Sequence, residues 1–257
     1  MNQLIVLVYT LLFVCTSYAG SNRATEANFS PQEIASFAKQ VEKYAAQQGA
    51  RAFIIARLGQ PQEKLPKGIE FTHTAIAVYS EITLSNGKTA KGYAIHNLYQ
   101  NADNSAKSSL VTDYPVDFFW GVSELKAGII IPSAELQQRI IEVIASGQNQ
   151  QLHNPRYSLI ANPYNNRYQN CTEHTLNIVN AAIYQTTDMS RLKANTKAYF
   201  SPQPIHFSRL KLSLGSMFNS GITMKDHQGK IKTTSFTTIA NYLADYDLMQ
   251  EKHTFEL

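Results

Sequence analysis

Cysteine is nearly absent from this chain: its 257 residues hold two, Cys15 and Cys171. Cys15 lies in an N-terminal segment that reads as removable, which leaves one thiol and excludes an internal disulfide framework. Long apolar runs are equally scarce. The most extended one, Leu4 to Val14, is shorter than the ~20 residues a membrane span requires. No sign of charge dominates either, since the formal net charge is +4. Lys and Arg are spread thinly from Lys39 to Lys252 and form no basic footprint for nucleic acid. A Gly-rich phosphate loop, His-x-His, His-Glu-x-x-His and paired-Cys spacings are all missing, so neither a nucleotide cofactor nor a metal is expected. Internal repeats and low-complexity tracts are absent too, which confines expected disorder to the two ends.

What is present starts with an export pattern. Residues 1–19 carry no charged side chain, have an apolar centre, and end in Ser17-Tyr18-Ala19, a small-x-small site for cleavage before Gly20. The expectation is a secretion signal over 1–19, a periplasmic or secreted location, and no transmembrane anchor after cleavage. Residues 20–257 then form one domain, because 44% hydrophobic content supports one sizeable core and nothing resembles an interdomain linker.

Ser30-Pro31-Gln32-Glu33 is a capping box with proline at the first helical position, and Ile34, Phe37, Val41 and Tyr44 share one face. That predicts a helix over 31–48. Strands are predicted over 51–57, 70–84, 89–99, 127–131 and 157–161, with Asn86-Gly87 as the tight turn of a long hairpin. A helix is predicted to follow Pro132-Ser133, and another starts at Cys171 with Leu176, Val179 and Ile183 on its core face. The last third reads as strands around 205–214, a hairpin turning at Asp226–Gly229, and a helix near 238–247. Irregular mixing of helices and strands favours α+β with an antiparallel sheet packed against helices.

Cys171 is the chemical focus. A thiol in the first turn of a helix sits beside unpaired N–H groups and the positive end of the helix dipole, which favour thiolate. Its alternative is a small buried hydrophobe. Among seven histidines, His73 is the candidate base. It opens a strand of small residues, Thr74-Ala75-Ile76-Ala77. His174 lies one turn beyond Cys171, while His153, His206, His227 and His253 are expected in solvent. A third residue should orient the imidazole. A two-residue turn at Asn86-Gly87 makes paired positions sum to 173, which sets His73 opposite Gln100 and makes Gln100 that residue. His96 would then lie on the same face roughly 13 Å away, and Asn97 on the other face unless a bulge reversed the choice. The Tyr- and Asn-rich loop 162–170 is either a cleft rim or a turn held by Asn side chains. Asp113 to Trp120 either plugs the core edge or lines a groove.

The order of His73 before an Asn170-Cys171 helix start, with a hairpin between them, resembles the circularly permuted NlpC-type branch of papain-like thiol hydrolases, which includes lecithin retinol acyltransferase-like enzymes. More closely, Phe71-Thr72-His73-Thr74-Ala75, Leu98-Tyr99, Tyr114 to Phe119, Ala127 to Ser133, Asn162-Pro163-Tyr164 and Asn170 to Leu176 resemble a bacterial secreted family catalogued as domain of unknown function 2145. The resemblance implies a papain-like fold with the His strand before the Cys helix, Cys171 as nucleophile and His73 as base. It leaves the third position open. The expected activity is that of an exported cysteine hydrolase or acyltransferase on a peptide, amide or acyl-lipid bond of the cell envelope. The alternative is a non-catalytic envelope module that binds a peptide or lipid in the same cleft.

Overall fold

The computed structural model describes residues 27–83, 86–205 and 221–257. The expected signal segment, His206 and most of the strand expected over 205–214 lie outside them. Among the described residues there are eight strands: β1 (Ala52–Arg57), β2 (His73–Thr83), β3 (Thr89–Gln100), β4 (Ser108–Asp113), β5 (Lys126–Pro132), the short β6 (Gln203–Pro204) and β7 (Lys232–Thr233), and β8 (Met249–Glu256). Six of them form one sheet in the order β4-β3-β2-β1-β5-β8. Every neighbouring pair is antiparallel. This is the α+β class with helices on an antiparallel sheet.

Helices cover both faces. On one lie α1 (Pro31–Gln47) and the short α2 (Pro115–Phe119). The first is entered through the capping box of Ser30 and Glu33. Its Ile34, Phe37 and Val41 pack with Phe118 and Phe119 of α2 against Ile55, Ala75 and Ile95 of the sheet. Phe118 and Phe119 are fully buried, each contributing about 2–3 kcal/mol by area, so these two rings plug the core, while Tyr114 and Pro115 of the same segment line a cavity. On the other face α3 (Ala134–Ala145), α5 (Cys171–Tyr184), α6 (Met189–Tyr199) and α7 (Phe236–Asp245) pack on Ile54, Ile76 and Ile130 through Leu136, Leu176, Leu192 and Ile239. A single turn, α4 (Gln148–Gln151), follows α3.

The long hairpin departs from the expected register. Thr83 pairs with Thr89 and Ile76 with His96, so paired positions sum to 172. Five positions separate the paired Thr83 and Thr89, where a two-residue Asn-Gly turn was expected. A change of one in the register moves each β3 side chain to the opposite face relative to β2. Residues 157–161 are also not a strand, because Tyr157 makes only an isolated bridge to Gln169. Around Asp226 there is a turn closed by His227 N–H on the Met224 carbonyl instead of a hairpin. The helix expected over 238–247 starts two residues earlier, capped by Ser235. The C-terminal β8 was not legible as a strand, although its burial alternates strictly. Among the described residues no helix is long and apolar enough to cross a membrane.

Candidate functional site

Cys171 opens α5, and its position is fixed by the residue before it. The Asn170 Oδ1 accepts the Glu173 N–H at 2.8 Å, capping the helix. Its Nδ2 donates to the Leu159 carbonyl at 2.8 Å and to Thr233 Oγ1 at 3.2 Å. The helix start is thereby tied to two other segments. Thr172 and Thr175 hold α5 on β2 through Thr74, at 3.5 and 3.3 Å. The Cys171 Sγ lies 4.0 Å from the Thr72 carbonyl oxygen and 3.7 Å from Thr172 Oγ1. The sulfur therefore rests against the entry to β2, one residue from His73.

Burial dominates the thiol's acidity. Cys171 is 4% exposed. Burial pushes its pKa up, against the N–H groups of Thr74 and Thr172, the Thr172 hydroxyl and the more distant Arg57 charge, which pull it down. The first turn of α5 thus does not yield a standing thiolate. The sulfur is a thiol surrounded by groups able to receive the anion once one forms.

His73 is 1% exposed and lies on the α1/α2 side of β2, as do Ala75 and Ala77. Its Nε2 is 2.9 Å from Asn97 Oδ1. The Asn97 amide is oriented independently, since its Nδ2 donates to the Ile95 carbonyl at 3.0 Å and to Asp113 Oδ2 at 3.3 Å. With Oδ1 left as an acceptor, His73 must donate from Nε2, and its Nδ1 carries a lone pair. That Nδ1 is buried and has no partner among the described residues. The ring stacks on Tyr99 with centroids 4.8 Å apart and 10° between planes, and Phe118 lies tilted to it at 5.6 Å. Tyr99 in turn donates to Asp113 Oδ2 at 2.6 Å. Burial, then the Arg57 charge, push the His73 pKa down to about 3, so the ring is neutral across the physiological range.

The expected third residue is corrected by the register. Gln100 does not reach His73; its Nε2 donates to the Ser105 carbonyl at 2.7 Å. Asn97 occupies that place, because the register of 172 puts it on His73's face. His96, opposite Ile76, turns to the α5 side. There its charge and that of His153 act on His174, whose pKa is pushed down to about 3 by burial first. His153, expected in solvent, is half-buried with Nε2 3.0 Å from Ser108 Oγ. His227, also expected in solvent, has a buried side chain bonded at 2.8 Å to the Ile160 carbonyl. Among the described residues no group of His, Cys, Asp and Glu could hold a metal ion.

Loop 162–170 is the turn held by Asn side chains. Asn162 and Asn165 donate to the Asp226 carbonyl at 3.0 and 3.1 Å, and Asn162 Oδ1 accepts the Tyr164 N–H at 3.1 Å. A cavity of about 320 Å³ lies elsewhere, between Glu42, Tyr93 and Tyr114, and none of Cys171, His73 or Asn97 lines it.

Sequence reasoning missed Arg57 altogether. It ends the otherwise apolar β1, pairs with His73 across the sheet, and is 7% exposed. Its guanidinium lies over the rings of Phe118 and Tyr99, at 5.3 and 5.9 Å. A cation closing an all-buried strand was the available signal.

An antiparallel sheet carrying a buried His–Asn pair beside a helix-start cysteine defines an α+β protein with a thiol-centred candidate site. The chain belongs to a family described as uncharacterized proteins conserved in bacteria (DUF2145), whose model matches residues 44–243. No curated protein and no solved structure matches it.

Proposed function

We propose that this chain is an exported cysteine hydrolase or acyltransferase of papain-like type, acting on an amide, peptide or acyl-lipid bond. The observation that carries the reading is the state of His73. Its Nε2–H is fixed by Asn97, and its Nδ1 is a buried, unpartnered base on the strand against which the sulfur rests. Burying an imidazole lone pair without a partner is unfavourable, and such a group is accounted for by a proton it receives during turnover.

In the proposed reaction the Cys171 sulfur attacks a carbonyl carbon while its proton passes to His73 Nδ1. The oxyanion faces the amide groups at the start of α5. The C–N or C–O bond then breaks as His73 returns the proton to the leaving atom, forming a thioester. Water, or an acceptor hydroxyl or amine, attacks the thioester with His73 as base, and the thiol is regenerated. Asn97 keeps the ring in the tautomer that exposes Nδ1, and Asp113 keeps Asn97 oriented. No hydrogen bond joins the ring to the sulfur in this resting arrangement, so the cycle begins from a neutral pair.

Burial of the sulfur favours the second reading, a non-catalytic module that binds a peptide or lipid of the envelope. Acylation separates the two. The protein without residues 1–19 is mixed with p-nitrophenyl acetate, and the acetyl adduct is followed by intact-protein mass spectrometry beside p-nitrophenolate release. The expected result is a burst with an adduct on Cys171, lost in Cys171→Ser and slowed about a hundredfold in His73→Ala. Acylation at the same rate with and without His73 would leave the binding module as the reading.

A further inference from the structure

We propose that Arg57 selects the substrate: its guanidinium receives a carboxylate carried by the acyl compound, beside the bond that Cys171 attacks. This deepens the thiol acyl-transfer reading and rests on it for the word substrate.

Four observations carry it. First, Arg57 is more than nine-tenths buried, yet its guanidinium has no hydrogen bond and no ion pair among the described residues, and its Nε is sealed without a partner. The sealed Nε–H is costly to keep, because that donor loses water and gains no acceptor. Secondly, the natural internal partner is already engaged. The Asp113 carboxylate acts on Arg57 through space, but its Oδ2 takes Tyr99 O–H and Asn97 Nδ2–H, and it makes no ion pair with the guanidinium. Thirdly, the place is the candidate site itself. Arg57 pairs with His73 across β1 and β2, and its charge acts on both His73 and Cys171. Fourthly, the partner of Arg57 on its other side is Ala127 of β5, whose methyl group offers the guanidinium no acceptor.

Charge arithmetic selects the ligand. One buried cation is neutralised by one monoanion, and a planar carboxylate matches the guanidinium fork with two parallel hydrogen bonds. A phosphate dianion would add a second negative charge next to Asp113, and among the described residues no second cation stands at the site to offset it. Carboxylate binding also has a consequence for the chemistry. It cancels the positive field that opposes a proton on His73, so the imidazolium needed during acyl transfer forms more readily once such a substrate is seated.

The test uses two pairs of probes that differ only in the anion. Cys171→Ser protein is titrated with N-acetyl-alanine and with N-acetyl-alaninamide, following the melting temperature. Wild type is alkylated with iodoacetate and with iodoacetamide, following the adduct on Cys171. Both are repeated with Arg57→Lys and with Arg57→Met, the second keeping an apolar stem against Tyr99 and Phe118. The expected result is a carboxylate-dependent rise in melting temperature and an iodoacetate-to-iodoacetamide rate ratio at least about tenfold above that of Arg57→Met, with Arg57→Lys in between. Equal responses to the carboxylate and the amide in the folded Arg57 protein would overturn the proposal. Selective carboxylate binding without acylation of Cys171 would uphold Arg57's role and sink the hydrolase reading. Acylation that ignores the anion would do the reverse.

Discussion

Replacing His174 by glutamine is expected to flatten the acid limb of the stability curve. His174 is 3% exposed on α5, and its Nδ1 has no partner among the described residues. Burial, followed by the His153 charge, pushes its pKa down from the ordinary 6.5 to about 3. Because the folded value lies below the unfolded one, the neutral ring is favoured by folding. The associated stability is complete above pH 6.5 and is lost as pH falls toward 3. Inside that window the unfolded chain holds about one more proton at this residue, which gives a slope of ~1.4 kcal/mol per pH unit. His73, pushed to about 3 by burial and Arg57, adds a slope of the same sign. Glu173 opposes them. Burial pushes it up from 4.5 to about 7 despite Lys193, so its contribution is complete below pH 4.5 and lost as pH rises through 7. These background terms are common to both proteins, and the difference between wild type and His174→Gln isolates the one ring. Urea unfolding followed by fluorescence of the single tryptophan, Trp120, between pH 4.5 and 6.5 should give slopes differing by about 1.4 kcal/mol per pH unit. Equal slopes with cooperative unfolding retained would refute the reasoning, since they would mean that the native ring already accepts the proton.

The hairpin register predicts unequal effects of two neighbouring amides. Asn97→Ala leaves the His73 Nε2–H buried without its acceptor, at a cost of about 1–3 kcal/mol in urea unfolding, and should slow acetylation of Cys171; Gln100→Ala should leave that rate unchanged, and the opposite ranking would reinstate Gln100. At Gly128 an added Cβ would come within 2.7 Å of both Phe71 and Phe236, two rings already packed edge to face with centroids 4.9 Å apart. Gly128→Ala should therefore destabilise by about 1–3 kcal/mol, and a melting temperature equal to wild type would show that these rings move freely. Gln185 ends α5 with φ 51°, in the left-handed region. Gln185→Gly should stabilise by roughly 1 kcal/mol, and calorimetry showing a loss would place an unrecognised role on its side chain.

Legibility in the sequence followed how local each determinant is. The capping box at Ser30 and the apolar period behind it are contained within a few turns, and they placed α1 to within a residue of its observed end. The Asn170 cap announced α5 for the same reason. The hairpin was located correctly, but its register depends on the parity of the connection, and Asn-Gly invites an even, two-residue turn whereas Thr83 pairs with Thr89, with five positions between them. One position of error exchanged Asn97 for Gln100, although the strands themselves were right. β8 and α6 were lost for a different reason. Met249–Glu256 is half-exposed with charges alternating on its outer face, and Met189–Tyr199 has a polar surface with few buried positions, so neither shows a strong apolar period. Arg57 was hidden by habit of reading: in Ala52-Phe53-Ile54-Ile55-Ala56-Arg57 the charge resembles a strand end reaching solvent, and only the packing of Phe118 and Tyr99 reveals that it does not.

The resting acidities constrain how such a site would work. The Cys171 thiol, pushed up by burial, and the His73 imidazole, pushed down by burial and by Arg57, are both neutral near pH 7, and an ion pair between them would have to form against the same burial that orders the fold. On the proposed reading attack and proton transfer are then concerted, and a substrate that carries an anion brings compensating charge that a neutral ester lacks. An anion at Arg57 supplies part of it: it removes the field that opposes a proton on His73 and also the field that favours the Cys171 thiolate, so the gain is realised when a carbonyl in reach of the sulfur takes up the developing negative charge. Slow alkylation by a neutral reagent is therefore the expected behaviour of the empty site, and it does not by itself argue against catalysis. The discriminating quantity is the dependence of that rate on a bound carboxylate: acceleration of iodoacetamide by saturating N-acetyl-alanine at pH 7, absent in Arg57→Met, is the outcome that a concerted, substrate-charged mechanism requires. Inhibition by the same carboxylate in wild type would instead mean that it fills the space above the sulfur, and the reaction scheme would have to place the substrate's anion on the leaving side of the scissile bond.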